Sequence, residues 1–333
     1  MSVALVMTVR NEPQLLRPNL LYHRRAGVER CYLYDDGCDD GSVDGVRDLD
    51  FVRVAPSVAP DALADRPEAA RFAALHRTVL PARQCLNALD ALDRARAEGL
   101  AWLLHVDADE LVCLDAHASR PGELRELLEN VDAPASQVTF APYEVCRRRL
   151  AYDDVLREET LLTVGTRNAR RLCWDPLGRR PFVVRAPLGH RLGKSAVRVD
   201  AGLVPRNPHR FVARDGSAPP TVARPYLLHY YAFDVASFVT KFRNLRDPSF
   251  EREVHGRRLP RWKIVWRDLV NDERTSGDEV RRYFARWLLQ GERAVRRGRR
   301  GLRLLGVPLV RPSIVEVTAV RRALDDLRSQ QAQ

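Results

Sequence analysis

Lysine is nearly absent from this 333-residue chain: Lys194, Lys241 and Lys263 are the only ones, although lysine and arginine together number 55. The net charge of +11 is therefore carried by arginine. It favours anionic partners such as phosphorylated donors, acidic glycans, lipid headgroups or nucleic acid, without choosing among them. C-x-x-C pairs are missing too. The six cysteines (Cys31, Cys38, Cys85, Cys113, Cys146 and Cys173) are scattered through a chain too long to need disulfide staples, which predicts a reducing compartment. No stretch reaches the ~20 apolar residues of a membrane span. The opening run Val3 to Val9 is too short for the apolar part of a signal peptide and is broken by Arg10, Asn11 and Glu12. The expectation is a cytoplasmic protein whose membrane contact, if any, is peripheral and at the inner face. Internal repeats and long low-complexity tracts are also lacking.

What is present suits one large α/β domain with a smaller appendage, since 45% of residues are hydrophobic and 30% charged. An apolar strand from Val3 to Val9 is followed by a helical pattern from Leu15 to Arg25, then Gly27, then a strand from Cys31 to Tyr34. This is a βαβ pattern, and open α/β sheets bind ligands beyond the carboxyl ends of their strands. A third strand covers Phe51 to Val54. A helix is predicted from about Ala82 to Glu98, with Leu86, Leu89 and Leu92 on one face and Gly99 ending it. The continuous apolar run Ala101 to Val106 reads as a buried central strand, and it delivers Asp107-Ala108-Asp109-Glu110 at its end. Shorter strands follow, among them Lys194 to Val199 and Tyr226 to Tyr231. After about Ala236 the chain turns helical and basic.

The Asp107-x-Asp109 pair is the strongest chemical signal. A departing diphosphate needs its charge neutralised, and a hard divalent cation held by one or two carboxylates does that. Asp48-Leu49-Asp50 has the same form without a buried strand before it, and it is assigned no role. The acidic turn Asp35 to Gly41 fails the calcium-loop spacing, because aligning Gly41 as the turn glycine puts Cys38 and Arg47 at ligand positions. It suits hydrogen bonds to ribose hydroxyls or a base edge instead, the alternative being an ordinary surface turn. Gly193-Lys194-Ser195 is not a P-loop: only three residues separate it from Gly189, and a strand pattern follows. Lys194 is either a phosphate or acceptor contact or a plain surface lysine.

Among the histidines, His229 lies in an apolar strand-like run and can complete a metal's coordination from across the cleft, with His209 the weaker competitor and a core histidine the alternative. His76, His117 and His190 are read as structural or surface residues. The tail from Arg281 to Leu305 mixes arginine (Arg293, Arg296, Arg297, Arg299, Arg300) with Trp287 and Leu288, Leu289, Leu302, Leu304. A solvated basic face packed by its apolar side is favoured over an interfacial helix on anionic lipid. Nucleic-acid binding is not expected, because neither interleaved aromatics nor a known module occurs.

Five tracts together resemble the glycosyltransferase family 2 type of the GT-A fold, especially its small bacterial transferases. They are Thr8 to Glu12, Tyr22 to Ser42, HVDADEL from His105 to Leu111, GKSAVRV from Gly193, and HYYAFDVASFVTKFRN from His229. The resemblance covers residues 1 to about 244. It implies a GT-A-like (Rossmann-like) α/β fold, a mixed sheet flanked by helices, with a catalytic domain over 1–235 and a basic helical region over 236–333. It also implies an inverting transfer from a nucleotide-diphosphate sugar, with Mn²⁺ or Mg²⁺, to an acceptor hydroxyl on a glycan, lipid-linked or small molecule. Carried over by position, Thr8, Arg10, Asn11, Asp35 and Asp36 hold the nucleotide and Arg83 or Asn87 lines the donor pocket. Asp107 lies near ribose and metal, Asp109 is the direct metal ligand, and His229 is a late metal or diphosphate contact. Arg10 departs from the aromatic or small residue of many relatives. The general base has no clear position; Glu144 and Asp175 are candidates. Two alternatives stand beside this reading: a sugar-phosphate nucleotidyltransferase, whose Gly-rich loop is missing here because no glycine precedes Gly27, and an inactive relative or adaptor that binds anionic polymer.

Overall fold

A computed structural model describes residues 2–117, 124–132, 134–164, 169–175, 180–186, 192–246, 259–300, 302–304, 307–310 and 313–331. His190, one of the histidines read as structural, lies outside them. The first half alternates strand and helix: β1 (Val3–Val9), α1 (Leu16–Arg25), β2 (Arg30–Asp35), β3 (Val52–Pro56), a short α2 (Ala70–Ala73), α3 (Leu80–Ala97), β4 (Trp102–His105), β5 (Glu110–Val112) and α4 (Leu124–Glu129). The second half is mostly strands: β6 (Gln137–Val145), a short α5 (Val155–Glu158), β7 (Leu161–Val164), β8 (Ala169–Trp174), β9 (Pro181–Ala186), β10 (Lys194–Arg198), β11 (Val204–Asn207), β12 (Arg210–Val212) and β13 (Thr221–His229). Then come α6 (Val235–Arg243), α7 (Arg261–Asn271), α8 (Gly277–Trp287), α9 (Glu292–Arg300), β14 (Leu302–Leu304), β15 (Val307–Val310), β16 (Ile314–Glu316) and α10 (Ala319–Gln331).

The main sheet runs β16-β7-β6-β10-β4-β1-β2-β3, with β13 joining β6 and β5 beside that path. Strands β4, β1, β2 and β3 are mutually parallel, whereas β10 runs antiparallel between β4 and β6. This is the α/β mixed sheet flanked by helices that the sequence implied. All seven residues of β1 are buried, as an apolar run must be in a parallel strand covered on both faces. One core joins Leu5, Met7, Leu33, Trp102 and Leu104 to α1 and α4; another joins Ala4, Val6, Tyr34 and Leu103 to Ala88, Leu92 and Ala95 of α3.

The C-terminal region is helical as expected from α6 to α9, but it is not helical throughout. Strand β16 pairs antiparallel with β7 at the sheet edge, and α10 buries Val320, Ala323 and Leu324 with Tyr22, Val155 and Leu156. The final segment thus adds a strand to the main sheet and a helix to the core beside it. Basic helix α9 is anchored by Val295, which packs with Cys146, Leu161 and Ile314. None of the described helices is long and apolar enough to cross a membrane.

One buried histidine ties α1 to the sheet. Asn19 donates its amide to the carbonyls of Ala108 (2.9 Å) and Glu110 (2.7 Å), so its side-chain oxygen is left as the acceptor for His23 Nδ1 at 2.7 Å. His23 Nε2 then accepts from the Val112 N–H at 3.3 Å. Only the neutral ring satisfies both, and burial lowers its pKa from 6.5 to about 4. The unfolded chain therefore binds a proton that the folded one refuses between those values. Stability from this residue is fully present above pH 6.5 and is lost as pH falls toward 4, by ~3 kcal/mol. Urea unfolding of His23→Gln should show a shallower loss of stability over that window than the parent; equal slopes would refute the assignment.

Candidate functional site

Because β2, β1 and β4 are adjacent and parallel, their carboxyl ends bring Asp35 and Asp36, Thr8 to Glu12, and Asp107 to Glu110 to one edge of the sheet. Thr8 and Asn87 meet directly: the Asn87 amide donates to Thr8 Oγ1 at 2.8 Å, and its oxygen accepts from the Val58 N–H at 2.8 Å. Asp35 closes its own turn, accepting from the N–H groups of Gly37 (3.0 Å) and Cys38 (2.8 Å). Asn11 sits at φ +54°, a conformation asparagine tolerates better than most residues. Its side chain accepts from the Asp39 N–H at 3.0 Å and donates to Asn244 Oδ1 at 3.2 Å. Asn244 in turn donates to the Arg10 carbonyl at 2.8 Å. The end of α6 thereby braces the first strand end.

Three of the residues expected at the donor, Asp36, Arg83 and Lys194, have partners within the protein. Asp36 and Arg83 are buried and bind each other bidentately at 2.6 and 2.8 Å, and Ser57 donates to Asp36 Oδ1 at 3.0 Å. Both carboxylate oxygens thus accept hydrogen bonds from within the protein. Lys194, read as a phosphate contact or surface lysine, is completely buried beneath the acidic motif. Its ammonium lies 2.9 Å from Asp107 Oδ1 and 3.6 Å from Glu110 Oε2. The preceding Gly193 is required by packing: it sits at φ +66°, and a Cβ there would stand 1.8 Å from the Phe140 carbonyl oxygen.

The acidic turn itself is tightly held. The Asp107 N–H donates to Glu110 Oε2 at 2.8 Å, and the Tyr230 N–H donates to the Asp109 carbonyl at 2.8 Å. Asp107 lies at the mouth with its side chain 28% exposed, whereas Asp109 is 3% exposed. Burial pushes the Asp107 carboxyl up, but Lys194 outweighs it and the pKa falls to about 2. Asp109 is likewise resisted by burial yet held well below the usual carboxylate range by Lys241 and His229. Lys241 of α6 ion-pairs with Asp109 Oδ2 and lies 3.7 Å from Glu12 Oε1. His229 Nε2 is 3.6 Å from the same Asp109 oxygen. Burial pulls the His229 pKa down, but Asp109, Glu110 and Glu144 outweigh it and the net shift is upward. Glu12 and Glu110 are both raised to about 7, chiefly by burial.

Among the described residues no three His, Cys, Asp or Glu side chains gather to hold a metal by themselves. The donor set nevertheless fits a hard cation that takes its other ligands from phosphate and water: Asp109 Oδ1 is buried without a hydrogen-bond partner, and His229 stands on the same carboxylate. His209 Nδ1 lies 3.0 Å from the Gly193 carbonyl. Glu144 is engaged with buried Arg147, which also donates to the Tyr231 carbonyl at 2.9 Å. Asp175 follows β8, where its N–H bonds the Arg180 carbonyl at 3.0 Å.

No family model matches the chain. Two glycosyltransferase-like proteins of Arabidopsis thaliana are 33% identical over 134 residues and 32% identical over 136, each alignment covering 39% of this chain. Those alignments cover 29% and 25% of the two plant proteins, so the chain spans under a third of their length. Solved structures also align, among them two that do so weakly. Glucosyl-3-phosphoglycerate synthase from Mycobacterium tuberculosis gives TM-score 0.33 at 14% identity, over 72% of this chain and 78% of that one. A CMP:2-keto-3-deoxy-manno-octonic acid synthetase gives 0.26 at 12%, over 60% and 75%. At these scores neither structure bears on the argument.

Sequence reasoning did not assign Glu12, Asn19, Gln84, Lys241 or Asn244. Gln84 donates to Asp107 Oδ1 at 2.7 Å. For Lys241 a signal existed, because two of the chain's three lysines, Lys194 and Lys241, neutralise the acidic motif. Arg83→Met should cost about 3–5 kcal/mol in denaturant unfolding, since it strands a buried carboxylate; Arg83→Met with Asp36→Asn should recover part of that loss. A single variant within 1 kcal/mol of the parent would show the pair to be unimportant.

Proposed function

We propose that this chain is a metal-dependent glycosyltransferase that moves a sugar from a nucleotide-diphosphate donor to an acceptor hydroxyl with inversion. The observation that carries the reading is Asp109: a buried carboxylate with one unpartnered oxygen, at the end of a central strand, in the cleft formed by the first two strand ends. The similarity to glycosyltransferase-like plant proteins supports the same class. Thr8, Asn11, Asp35 and Asn87 are the groups proposed to face base and ribose, with Arg10 beside them and Arg83 and Asp36 holding the wall.

Asp109 and His229 would hold Mn²⁺ or Mg²⁺ together with the donor diphosphate, with Asp107 at the mouth toward the ribose. A cation there supplies charge neutralisation for the departing diphosphate. Glu144 is a poor base because Arg147 occupies it. Glu12, at the cleft rim and raised to about 7, is better matched to accepting a proton near neutrality. The acceptor is read as a glycan, a lipid-linked or a small molecule. A groove of about 410 Å³ lined by Arg148, Arg149, Arg296 and Arg299, with Glu292 among them and Arg148, Arg149 and Arg299 already paired to glutamates, is the proposed peripheral contact for an anionic acceptor or headgroup.

Release of nucleoside diphosphate across a panel of activated sugars should depend on manganese or magnesium. Asp109→Ala should lower the rate by about a hundredfold or more, by analogy with loss of a transition-state charge stabiliser. Full activity of that variant in the presence of EDTA would overturn the reading. Titration of UDP and GDP with and without Mn²⁺ separates the transferase from an inactive anionic-polymer binder, which should show no metal-dependent nucleotide binding.

A further inference from the structure

Lysine is so rare here that its placement is informative. Arginine serves as the cation in surface ion pairs such as Arg17–Asp48 and Arg94–Asp90, yet the acidic motif is served by two lysines. Lys194 is locked beneath Asp107 and Glu110, with no exposure. Lys241 is different: its side chain is 26% exposed, it reaches in from α6, and its ammonium touches Asp109, Glu12 and the face of Tyr231, 4.9 Å from the ring centre.

The helix that carries Lys241 is rigidly mounted. Asp234 caps α6 in a reciprocal pair with Ser237. Phe238 and Phe242, one turn apart, pack against Trp262, Trp266 and Phe284 of α7 and α8. Asn244, just past the helix, is bonded to Asn11 and Arg10. With the backbone fixed on both sides, only the flexible four-carbon stem of Lys241 can move. An ammonium on such a stem is a point charge that changes partner without moving the helix, which a planar guanidinium fork does less readily.

We propose that Lys241 is the resident counter-ion of Asp109, exchanging that carboxylate for the donor diphosphate when the cation–nucleotide complex enters. This rests on the reading of the cleft as a cation–diphosphate site. In the free protein the ammonium occupies the Asp109 oxygen next to the unpartnered one, so it competes with a bare divalent ion for the same carboxylate. On donor binding, Lys241 gives up Asp109 and turns its charge to the phosphate oxygens. The same residue thus opposes metal alone and favours metal with diphosphate, which protects the cleft from idle occupancy.

The test measures binding of manganese alone to the full chain, by loss of the free Mn²⁺ resonance, and then of UDP and GDP at saturating manganese. Lys241→Met and Lys241→Gln should bind manganese alone at least about tenfold more tightly than the parent, and nucleotide at least about tenfold more weakly. Lys263→Met, which removes the same charge elsewhere, should match the parent in both, and Asp109→Ala should lose the manganese site. Neither substitution at 241 removes a core side chain, and circular dichroism confirms the fold. Folded Lys241 variants that bind manganese no more tightly overturn the inference. If the parent still shows manganese-dependent nucleotide binding in that case, the transferase reading stands without it. A parent with no such binding sinks both.

Discussion

Four carboxylates, those of Glu12, Asp107, Asp109 and Glu110, crowd the ends of the first and fourth strands, and two ammonium groups offset their charge. Lys194 arrives from below on β10 and Lys241 from above on α6. Like charges at such spacing repel strongly where water is scarce, and burial alone favours protonation of each acid. The two aspartates keep their charge because each has its own lysine, while Glu12 and Glu110, more loosely partnered, are raised to about 7.

That requirement explains features of the fold that otherwise look incidental. An antiparallel β10 inserted between β4 and β6 is what lays Lys194 under Asp107, and it demands a glycine at 193 so the chain can pass the Phe140 carbonyl. The aromatic stack beneath α6 has a corresponding purpose. Phe238, Phe242, Trp262 and Trp266 bury a large apolar area, yet their effect on the site is to hold one helix face, and with it Lys241 and Asn244, against the ends of the first and fourth strands. The helices after residue 236 therefore contribute to the cleft, and β16 and α10 contribute to the core beside it.

Strands β1 to β4 and helices α1 and α3 were legible because their apolar periods are marked at the ends by Gly27, Gly99 and acidic clusters, whereas the short α2 and β5 carry no such period. The buried run before Asp107 gave the site its centre. What the sequence did not reveal is who pairs with whom. Asp36 and Arg83 are 47 residues apart and share no pattern, so both were read as facing a ligand when they face each other. Lys194 was read from its local motif, whereas its burial is decided by strands that precede it by over fifty residues. The return of the chain in β16 was also hidden, since three residues at a sheet edge carry no period of their own and the basic tail around them reads as solvated helix.

The charge balance of the cleft also bears on the order of events there. Asp107 and Asp109 carry two negative charges and Lys194 and Lys241 two positive ones, with His229 shifted toward its protonated form. Glu12 and Glu110, each held near 7, add only a partial negative charge at neutral pH. A site so close to neutrality has little field with which to draw in a bare divalent ion, and little with which to draw in a bare diphosphate past two aspartates. On the proposed reading, a diphosphate already carrying its cation would meet neither obstacle, because the aspartates would take the cation and Lys241 the phosphates. The proposed reading therefore has the two arriving as one unit, a property of the paired charges that neither the aspartates nor the lysines would confer alone.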